Sequence, residues 1–481
     1  MLDIYKGANG LLVNNKVLFI IETKKVNKPT DWLFKAAEKF GINKQDCKII
    51  ENNPTSDKHH LCHAYAAYSQ SGFKDASILI IDGMNEPNGI SIAIFKAEND
   101  KIELIKSYPT SYSLGSFYAN GVVLCGFNDV DHAGKLMGAS SYSKNIRDCP
   151  PFFLVDKYTG EITEENAKFI TNNKYLKFIG DDFLEKMIGS KNISPKTQFD
   201  FTNILTASTV QHLFEQSVFS LLEYMHNTLP SKNLVISGGC ALNCVCNGKI
   251  IRSKKWNDLF IPNMCEDQGN IIGRMVMEYN QKINKPFIYN NITYKIPKEY
   301  NKIISKSELA DKIRKGQIVD WFEGGSEYGP RALCHRSILA NPEIPWMAYR
   351  VNEIKHREYW RPLAPVILDK YFKEIFDVDG RIWYPHKVML ATEYIREQYQ
   401  RKYQTICAPD NSSRPQVLSD INENHTLYSL MDNFDLPILM NTSMNDAGKP
   451  ICETPEDAIN FCNKNTDVML VFVKDDKIYT K

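Results

Sequence analysis

The first half of the chain repeats one pattern, in which an apolar strand, a polar turn and a second apolar strand follow one another. Residues 11–13 and 17–21 flank the turn Asn14-Asn15, and residues 77–81 and 90–95 flank a longer loop that contains glycine. Short apolar runs separated by Asn and Gly are typical of β-hairpins. The pattern therefore predicts two hairpins with helices between them.

A long helix and a glycine turn follow the hairpins. Residues 203–229 form a helical run, and the apolar strand 233–237 ends at Gly238-Gly239, where a further helix begins. Such a turn either brings the backbone close to a phosphate at a helix N-terminus or simply packs a helix onto a sheet, and both interpretations stay open. By analogy, the repeated strands and helices indicate the duplicated α/β lobes of actin-like ATPases.

Length and charge narrow the class of protein. The chain has 481 residues, which is more than one hydrophobic core usually supports, so two domains are expected. The polar stretch 284–300, punctuated by prolines, predicts a linker between domains at 1–283 and 301–481. The net charge of +1 provides no global field for nucleic acid or membrane. Twelve dispersed cysteines and an N-terminus without an apolar signal region favour a cytoplasmic location.

Two histidines one helical turn apart and a later aspartate predict a metal site. His59 and His63 are four residues apart in a helix-like segment, and Asp82 follows the strand 77–81. Two imidazoles and a carboxylate suit a transition metal, and iron, zinc, manganese and cobalt are all compatible with this set. Asp267, just before a helical run, could complete the site. The alternatives are surface histidines, an aspartate that merely ends a strand, and a helix cap formed by Asp267.

The second half of the chain carries a dense set of cations and a polar turn. Lys355 and Arg357 are two residues apart, and an extended segment would place both side chains on one face. Arginine binds phosphate or carboxylate oxygens with a planar fork, so the set predicts a site for a phosphorylated small molecule. The alternative is an exposed basic face beside a common Asn/Ser loop. The other candidates are Arg331, Arg336, Arg361, Arg414, Asn441, Ser443 and Asn445.

Several ordered motifs carry a resemblance to a known family. They are HHLCHA followed by IIDG, DHAGKLMGASSY, ISGGCALNCVCNG, EDQGNIIG, EYGPRALCHRSILANP, KHREYWRPLAP and MNTSMNDAGKPICETPEDA. With these motifs the chain resembles the O-carbamoyltransferases of the NodU/CmcH type. The resemblance implies a duplicated actin-like N-terminal domain of the threonylcarbamoyl-transferase kind, followed by a mixed α/β C-terminal domain of the YrdC/Sua kind.

The resemblance also implies the chemistry. The C-terminal domain would make a carbamoyl-adenylate from carbamoyl phosphate and ATP, with Mg²⁺ accompanying the ATP. The N-terminal domain would hold that adenylate beside a bound Fe²⁺, or another divalent transition metal, while an acceptor hydroxyl attacks the carbamoyl carbon. AMP would leave. The metal ligands would be His59, His63, Asp82 and Asp267.

The binding residues follow from the same motifs. In the N-terminal domain, the residues near the nucleotide would be Lys135, Gly138, Gly239 and Asn243. In the C-terminal domain, the paired signatures Lys355-x-Arg357 and Ser443-x-Asn445 would bind ATP and the acyl substrate. The phosphates would be neutralised by Arg331, Arg336, Arg361 and Arg414.

One departure from the family pattern changes the expected catalysis. Members usually open with a His-Asp-Ser stretch, whereas residues 6–10 of this chain read KGANG and lack the aspartate. If that carboxylate helps to deprotonate the acceptor, another base must serve here, and the candidates are Asp82 or a nearby histidine such as His132. The predicted catalytic residues are therefore His59, Asp82 and His132, with the choice of base left open.

Three classes of function follow for the chain. The first transfers a carbamoyl group to a hydroxyl of a small molecule, such as a sugar or a natural product. The second carbamoylates a hydroxymethyl-pyrimidine base in a nucleotide or in phage-type DNA, or modifies transfer RNA, although the neutral net charge weighs against a long polyanion. The third is a non-catalytic actin-like nucleotide sensor, which would leave the C-terminal cations unexplained. We favour the first, without a membrane partner.

Overall fold

The structure, a computed structural model, groups the described residues into two compact units. It describes residues 11–14, 17–23, 47–52, 56–83, 89–127, 132–165, 201–279, 283, 285–290, 292–419, 425–465 and 467–481. The first unit falls within 1–133, 146–242 and 253–287, and the second within 134–145, 243–252 and 288–481. Two short segments from the first half of the chain therefore group with the second unit. The domain boundaries predicted from the sequence stay a prediction.

Twenty strands are found in the described part of the chain. In chain order they are β1 Leu11–Asn14, β2 Val17–Thr23, β3 Cys47–Asn52, β4 Asp75–Ile81, β5 Ile90–Glu98, β6 Lys101–Pro109, β7 Phe153–Val155, β8 Ile162–Glu165, β9 Asn233–Ser237, β10 Asp258–Phe260, β11 Lys302–Ile304, β12 Ile318–Glu323, β13 Arg336–Ala340, β14 Ala364–Leu368, β15 Glu393–Tyr394, β16 Ser412–Ser413, β17 Gln416–Leu418, β18 Ile438–Ser443, β19 Val468–Lys474 and β20 Lys477–Thr480.

The α-helices of the described part alternate with these strands. In chain order they are α1 Ser56–Ser71, α2 Leu114–Leu124, α3 Ala133–Ala139, α4 Phe201–Thr228, α5 Cys244–Arg252, α6 Asn270–Tyr279, α7 Lys306–Arg314, α8 Met347–Ile354, α9 Asp369–Ile375, α10 Tyr384–Lys387, α11 Glu397–Gln400, α12 His425–Asn433 and α13 Pro455–Cys462. None of the helices in the described ranges is both long enough and apolar enough to cross a membrane.

The first unit is built around a mixed five-stranded sheet with the order β10-β9-β4-β5-β6. Strands β4, β9 and β10 run parallel, whereas β4, β5 and β6 form an antiparallel meander. Six of the seven residues of β4 are buried, as expected for a central strand covered on both faces. A separate sheet holds β1, β2 and β3.

The second unit is built around an eight-stranded mixed sheet with the order β11-β20-β19-β12-β13-β18-β14-β17. Side chains of β12 alternate between two cores, with Ile318 and Phe322 in one and Val319 and Trp321 in the other. This two-residue period is the pattern of a strand with apolar layers on both faces. The loops that follow the interior strands β12 and β18 are thereby anchored by the sheet.

The two predicted hairpins and the predicted long helix are confirmed where the structure describes the chain. β1 pairs with β2 and β4 pairs with β5, both antiparallel, as the two predicted hairpins require. The helix predicted over 203–229 is α4. The class is mixed α/β, as predicted, while the duplicated actin-like and YrdC-like details stay predictions. The KGANG departure at 6–10 lies outside the described residues.

The close packing of α6 on α1 depends on one glycine. A Cβ built on Gly273 would lie 1.9 Å from the carbonyl oxygen of Cys62, in the middle of α1. A backbone oxygen cannot move aside as a flexible side chain could, so only glycine permits this approach. The packing holds α1 against the residues that precede α6.

We expect Gly273→Ala to destabilise the first unit by roughly 1 to 3 kcal/mol, because the added methyl group overpacks a backbone contact. Chemical denaturation followed by fluorescence and circular dichroism would measure the loss. Gly134→Ala is the matched control, since a Cβ at Gly134 in α3 meets nothing within 4 Å. That variant should be neutral or slightly stabilising; equal behaviour of the two variants would contradict the packing argument.

Candidate functional site

Four side chains from three parts of the first unit converge on one point. His59 and His63 lie one turn apart on α1, Asp82 directly follows β4, and Asp267 opens the 3-10 turn that precedes α6. One ligand atom from each residue lies within 4.8 Å of all the others. The structure therefore brings together all four residues that the sequence predicted as metal ligands.

The distances within this cluster match the edges of a metal coordination shell. Asp82 Oδ2 lies 2.8 Å from His59 Nε2 and 3.5 Å from His63 Nε2. Asp267 Oδ1 lies 3.3 Å and 3.2 Å from the same two nitrogens, which are 3.2 Å apart. Donors bound to one ion at about 2.1 Å are separated by about 3.0 to 3.4 Å in octahedral or tetrahedral geometry. These residues fit a divalent metal ion.

The electrostatics of the cluster also favour an added positive charge. Burial lowers the pKa of His59, but its hydrogen bonds with Asp267 and Asp82 outweigh this and raise the pKa to about 9. Burial raises the pKa of Asp82, but its contacts with His59 and His63 bring it well below the usual value. A site that favours added positive charge in this way accepts a proton or a metal cation.

The glycine turn after β9 positions Asp82. The backbone N–H of Gly239 donates to Asp82 Oδ1 at 3.1 Å, so one carboxylate oxygen binds the turn while the other faces the histidines. Gly238 has φ +91°, and a Cβ there would lie 2.2 Å from the Ile81 carbonyl oxygen. The turn thus packs closely on the end of β4, and a nucleotide contact of Gly239 stays a prediction.

Three further polar residues have contacts of their own. Asn243 Oδ1 accepts from the N–H of Cys246 at 3.0 Å and so caps α5, while its predicted nucleotide contact is untested. His132 packs edge-on against Phe127, and its role as a base also stays a prediction. Asn270 Nδ2 lies 3.3 Å from His63 Nε2, a neighbour of the cluster that no sequence pattern indicated.

The second unit places Lys355 and Arg357 at a helix end, and not on an extended segment as predicted. Lys355 is the C-cap of α8, and His356 follows in the left-handed region with φ +47°. The N–H of His356 bonds to the carbonyl of Glu353 and that of Arg357 to the carbonyl of Asn352, which is a Schellman motif. The reversal of the chain at His356, and not strand alternation, determines where the two cations point.

Lys355 and the turn after β18 form one hydrogen-bonded group. Its buried ammonium group donates to the side-chain and main-chain oxygens of Ser443 and to Asn445 Oδ1, the last at 2.7 Å. Burial, followed by the charges of Arg357 and Arg361, lowers the pKa of Lys355 to about 7. The structure therefore brings together the two paired signatures predicted from the sequence.

Three arginines lie close enough to perturb one another. Burial and then the charges of Arg361 and Arg414 lower the pKa of Arg357 to about 9. Burial also lowers the pKa of Arg361, which Glu358 raises and Arg414 lowers further. Within the described ranges, Arg357 Nη2 and Arg414 Nε are buried donors without a hydrogen-bond partner. Cations held together with free donors have the chemistry to bind an anion, and phosphate binding by these arginines stays a prediction.

Arg336 is hydrogen-bonded within the protein, and its predicted phosphate contact stays a prediction. The residue is fully buried, and its guanidinium donates to the carbonyl oxygens of Glu323, Gly324, His335 and Glu453. The same group lies 3.5 Å from the ring centroid of Phe322. Because its donors are directed at the backbone, Arg336 braces the loops that follow β12 and precede α13.

The remaining predicted residues lie in the same unit. Asn441 is buried and donates to Gln416 Oε1 at 2.8 Å, a contact within the protein. Arg331 is half-buried in the loop between β12 and β13. Lys135 Nζ donates to Glu358 Oε1 at 2.7 Å, and a Cβ on Gly138 would lie 3.4 Å from the ring of Pro362. Lys135 and Gly138 thus contact the loop that carries Arg361.

Two carboxylates of the second unit were missed by the sequence analysis. Glu358 faces both Lys135 and Arg361, the latter at 3.7 Å. Glu327 Oε1 accepts from the N–H groups of Leu333 and Arg336 at 2.7 Å and 2.9 Å, which folds the intervening loop around one oxygen. The only clue in the sequence was that both glutamates lie beside arginine-rich stretches. An acidic residue in such a stretch is equally typical of a solvent-exposed surface.

Comparison with known proteins identifies a family for both halves of the chain. The family described as Carbamoyltransferase N-terminus matches residues 12–276, and Carbamoyltransferase C-terminus matches residues 310–478. Nodulation protein NolNO of Sinorhizobium fredii is 29% identical over 462 residues, covering 90% of this chain and 65% of the relative. The chain therefore spans about two thirds of that protein's length.

Two further comparisons concern an enzyme and a solved structure. The 3'-hydroxymethylcephem-O-carbamoyltransferase of Amycolatopsis lactamdurans is 28% identical over 274 residues, covering 54% of this chain and 51% of the enzyme. Full-length HypF in the phosphate- and nucleotide-bound form aligns at 18% identity over 35% of this chain and 22% of its own, with a TM-score of 0.25. At that TM-score the likeness supports no conclusion about this chain.

We expect the wild-type chain to bind one divalent transition-metal ion in the first unit, and His63→Ala to weaken binding roughly 100-fold or more, because a ligand is lost. Anaerobic titration with Fe²⁺ and with Zn²⁺, followed by elemental analysis, would measure this. His226→Ala is the matched control. His226 lies on α4, its imidazole packs on Trp256, and it is not one of the four clustered residues. Equal metal content in both variants would show that His63 is not a metal ligand.

We expect His356→Gly to stabilise the second unit by about 0.5 to 1 kcal/mol, because glycine adopts the left-handed conformation without strain. His356→Val should have the opposite effect, since a β-branched residue is poorly suited to positive φ. Thermal unfolding of the two variants beside the wild type would measure both shifts. A loss of stability in the glycine variant would show that the imidazole itself contributes more than the backbone conformation.

Proposed function

The chain belongs to the carbamoyltransferase family, and from this premise we propose that it is an ATP-dependent O-carbamoyltransferase. In this proposal the second unit makes carbamoyl-adenylate from carbamoyl phosphate and ATP. The first unit then transfers the carbamoyl group to a hydroxyl of a small molecule, such as a sugar or a natural product. The finer fold predictions, an actin-like first unit and a YrdC-like second unit, belong to the same proposal.

One observation carries the proposal: the cluster of Arg357, Arg361 and Arg414 beside Lys355. Both carbamoyl phosphate and ATP bring several negative charges, and this cluster holds buried donors that an anion would satisfy. Burial, and then the charges of neighbouring arginines, lower the pKa of Lys355 and Arg357, so a bound anion would relieve repulsion as well as form hydrogen bonds. A site of this composition suits a polyphosphate far better than a neutral ligand.

The activation step balances as two displacements. Water cleaves carbamoyl phosphate to carbamate and inorganic phosphate, and a carbamate oxygen then attacks the α-phosphorus of ATP while the bond to pyrophosphate breaks. The arginines would neutralise the phosphate oxygens, and the ammonium of Lys355, held by Ser443 and Asn445, would fix the turn that faces the reactants. Excluding bulk water after the first step would protect the labile carbamate.

The transfer step would use the cluster of the first unit. An acceptor hydroxyl attacks the carbamoyl carbon, the carbon–oxygen bond to the adenylate breaks, AMP leaves, and the hydroxyl proton passes to a base. A divalent cation held by His59, His63, Asp82 and Asp267 would supply Lewis acidity at this point. Asp82, whose second oxygen is fixed by the N–H of Gly239, would orient the histidines and is one candidate for the base.

We expect His63→Ala to lose transfer at least roughly 100-fold while retaining adenylate formation, because the two steps use different units. Arg357→Ala should do the reverse and abolish carbamoyl-phosphate-dependent release of pyrophosphate from ATP. Pyrophosphate release would measure the first step. Mass spectrometry of products from sugars, antibiotics and hydroxymethyl-pyrimidine nucleotides would measure the second and distinguish among acceptors.

Matched controls separate these effects from general damage. Arg396→Ala removes an arginine of the second unit that donates to the carbonyl of Phe376, and it should leave both steps intact. His226→Ala should do the same for the first unit. Absence of any pyrophosphate release by the wild type would refute the proposed activation, and equal loss of both steps in His63→Ala would refute the division of labour.

A further inference from the structure

We propose that Asn352 is the positioning residue of the arginine cluster, and that it holds the guanidinium of Arg357 and the main chain at Arg361. The inference deepens the proposed function and rests on it, because it concerns the same anion site. Asn352 lies in the last turn of α8 and is fully buried. No part of its side chain faces solvent, so its polar atoms require protein partners.

The side chain of Asn352 forms its hydrogen bonds with residues 357–361, the loop that carries Arg357 and Arg361. Its Oδ1 accepts from Nε of Arg357. Its Nδ2 donates to the carbonyl oxygen of Tyr359 at 3.3 Å and to that of Arg361 at 3.2 Å. One amide therefore uses both its N–H groups and its oxygen to hold residues 357–361 against the end of α8.

The contact with Arg357 determines what that guanidinium can offer to a ligand. Nε is bound to Asn352, and among the described residues the buried Nη2 has no partner. The main chain of Arg357 is fixed as well, since its N–H donates to the carbonyl of Asn352 at 3.0 Å. Backbone and side chain are thus held by the same residue, which leaves little freedom to the fork.

The chemistry of the side chain explains why asparagine occupies this position. Aspartate would keep the acceptor for Arg357 but would turn a carboxylate oxygen towards two carbonyl oxygens, and its charge would compete with a bound anion. Alanine would leave the carbonyls of Tyr359 and Arg361 without these donors. Glutamine carries an extra methylene group for which a fully buried site has no room.

The test uses inorganic pyrophosphate as the probe and the full-length chain. We expect Asn352→Ala and Asn352→Asp to weaken pyrophosphate binding at least about tenfold by calorimetry, since two or more hydrogen bonds that orient the cations are lost. In turnover, the KM for carbamoyl phosphate should rise more than kcat falls. Asn352→Asp should show the larger loss of binding because it adds a competing charge, although it keeps one of the bonds.

Asn465→Ala is the matched control, because Asn465 Nδ2 also donates to a carbonyl, that of Phe461, but does not contact the arginine loop. It should bind pyrophosphate as the wild type does. Wild-type affinity in both Asn352 variants would overturn the positioning role. So would equal weakening in the Asn465 variant, which would reveal a general loss of structure, and circular dichroism of each variant would verify folding independently.

The two proposals fail in different ways. If the wild type binds pyrophosphate but carbamoyl phosphate never elicits pyrophosphate release from ATP, the proposed activation is refuted while the binding comparison still decides the role of Asn352. If the wild type binds neither pyrophosphate nor carbamoyl phosphate, the anion site itself is refuted, and the positioning role with it.

Discussion

A buried charge persists only where opposite charge and hydrogen bonds compensate for lost hydration, and both candidate sites follow from this constraint. In the first unit, two carboxylates and two imidazoles converge, and the result favours an added cation. In the second unit, burial and then the charges of Arg361 and Arg414 lower the pKa of Arg357, which favours an added anion. The two sites have opposite electrostatic preference, although the chain as a whole has a net charge of only +1.

The same constraint distinguishes residues that serve the fold from those available to a ligand. Arg336 is as cationic as Arg357, but its donors meet four backbone carbonyls, whereas Arg357 retains a buried Nη2 without a partner in the described part of the chain. Charge alone therefore does not distinguish an arginine that braces the fold from one that has a donor to offer to a ligand. The number of donors left after the protein's own hydrogen bonds are counted is the better criterion.

Local geometry converts these residues into sites. Gly238 lets the turn after β9 approach β4, and this brings the N–H of Gly239 to one oxygen of Asp82 and leaves the other for the histidines. His356 reverses the chain after α8, so that Lys355 and Arg357 diverge from a helix end. In each case a single residue with positive φ determines the direction of a functional side chain.

The sequence by itself determined the hairpins and the long helix, because these depend on periodicity, and the one-turn spacing of His59 and His63 indicated two of the four side chains that converge in the first unit. It also carried the motifs that led to the carbamoyltransferase family. Only the tertiary structure showed that Arg336 is a brace and that Asn352 holds the arginine loop, because both depend on where backbone carbonyls lie after folding. A residue pattern does not specify which backbone carbonyls a side chain reaches after the chain turns, so no spacing rule could have assigned these contacts.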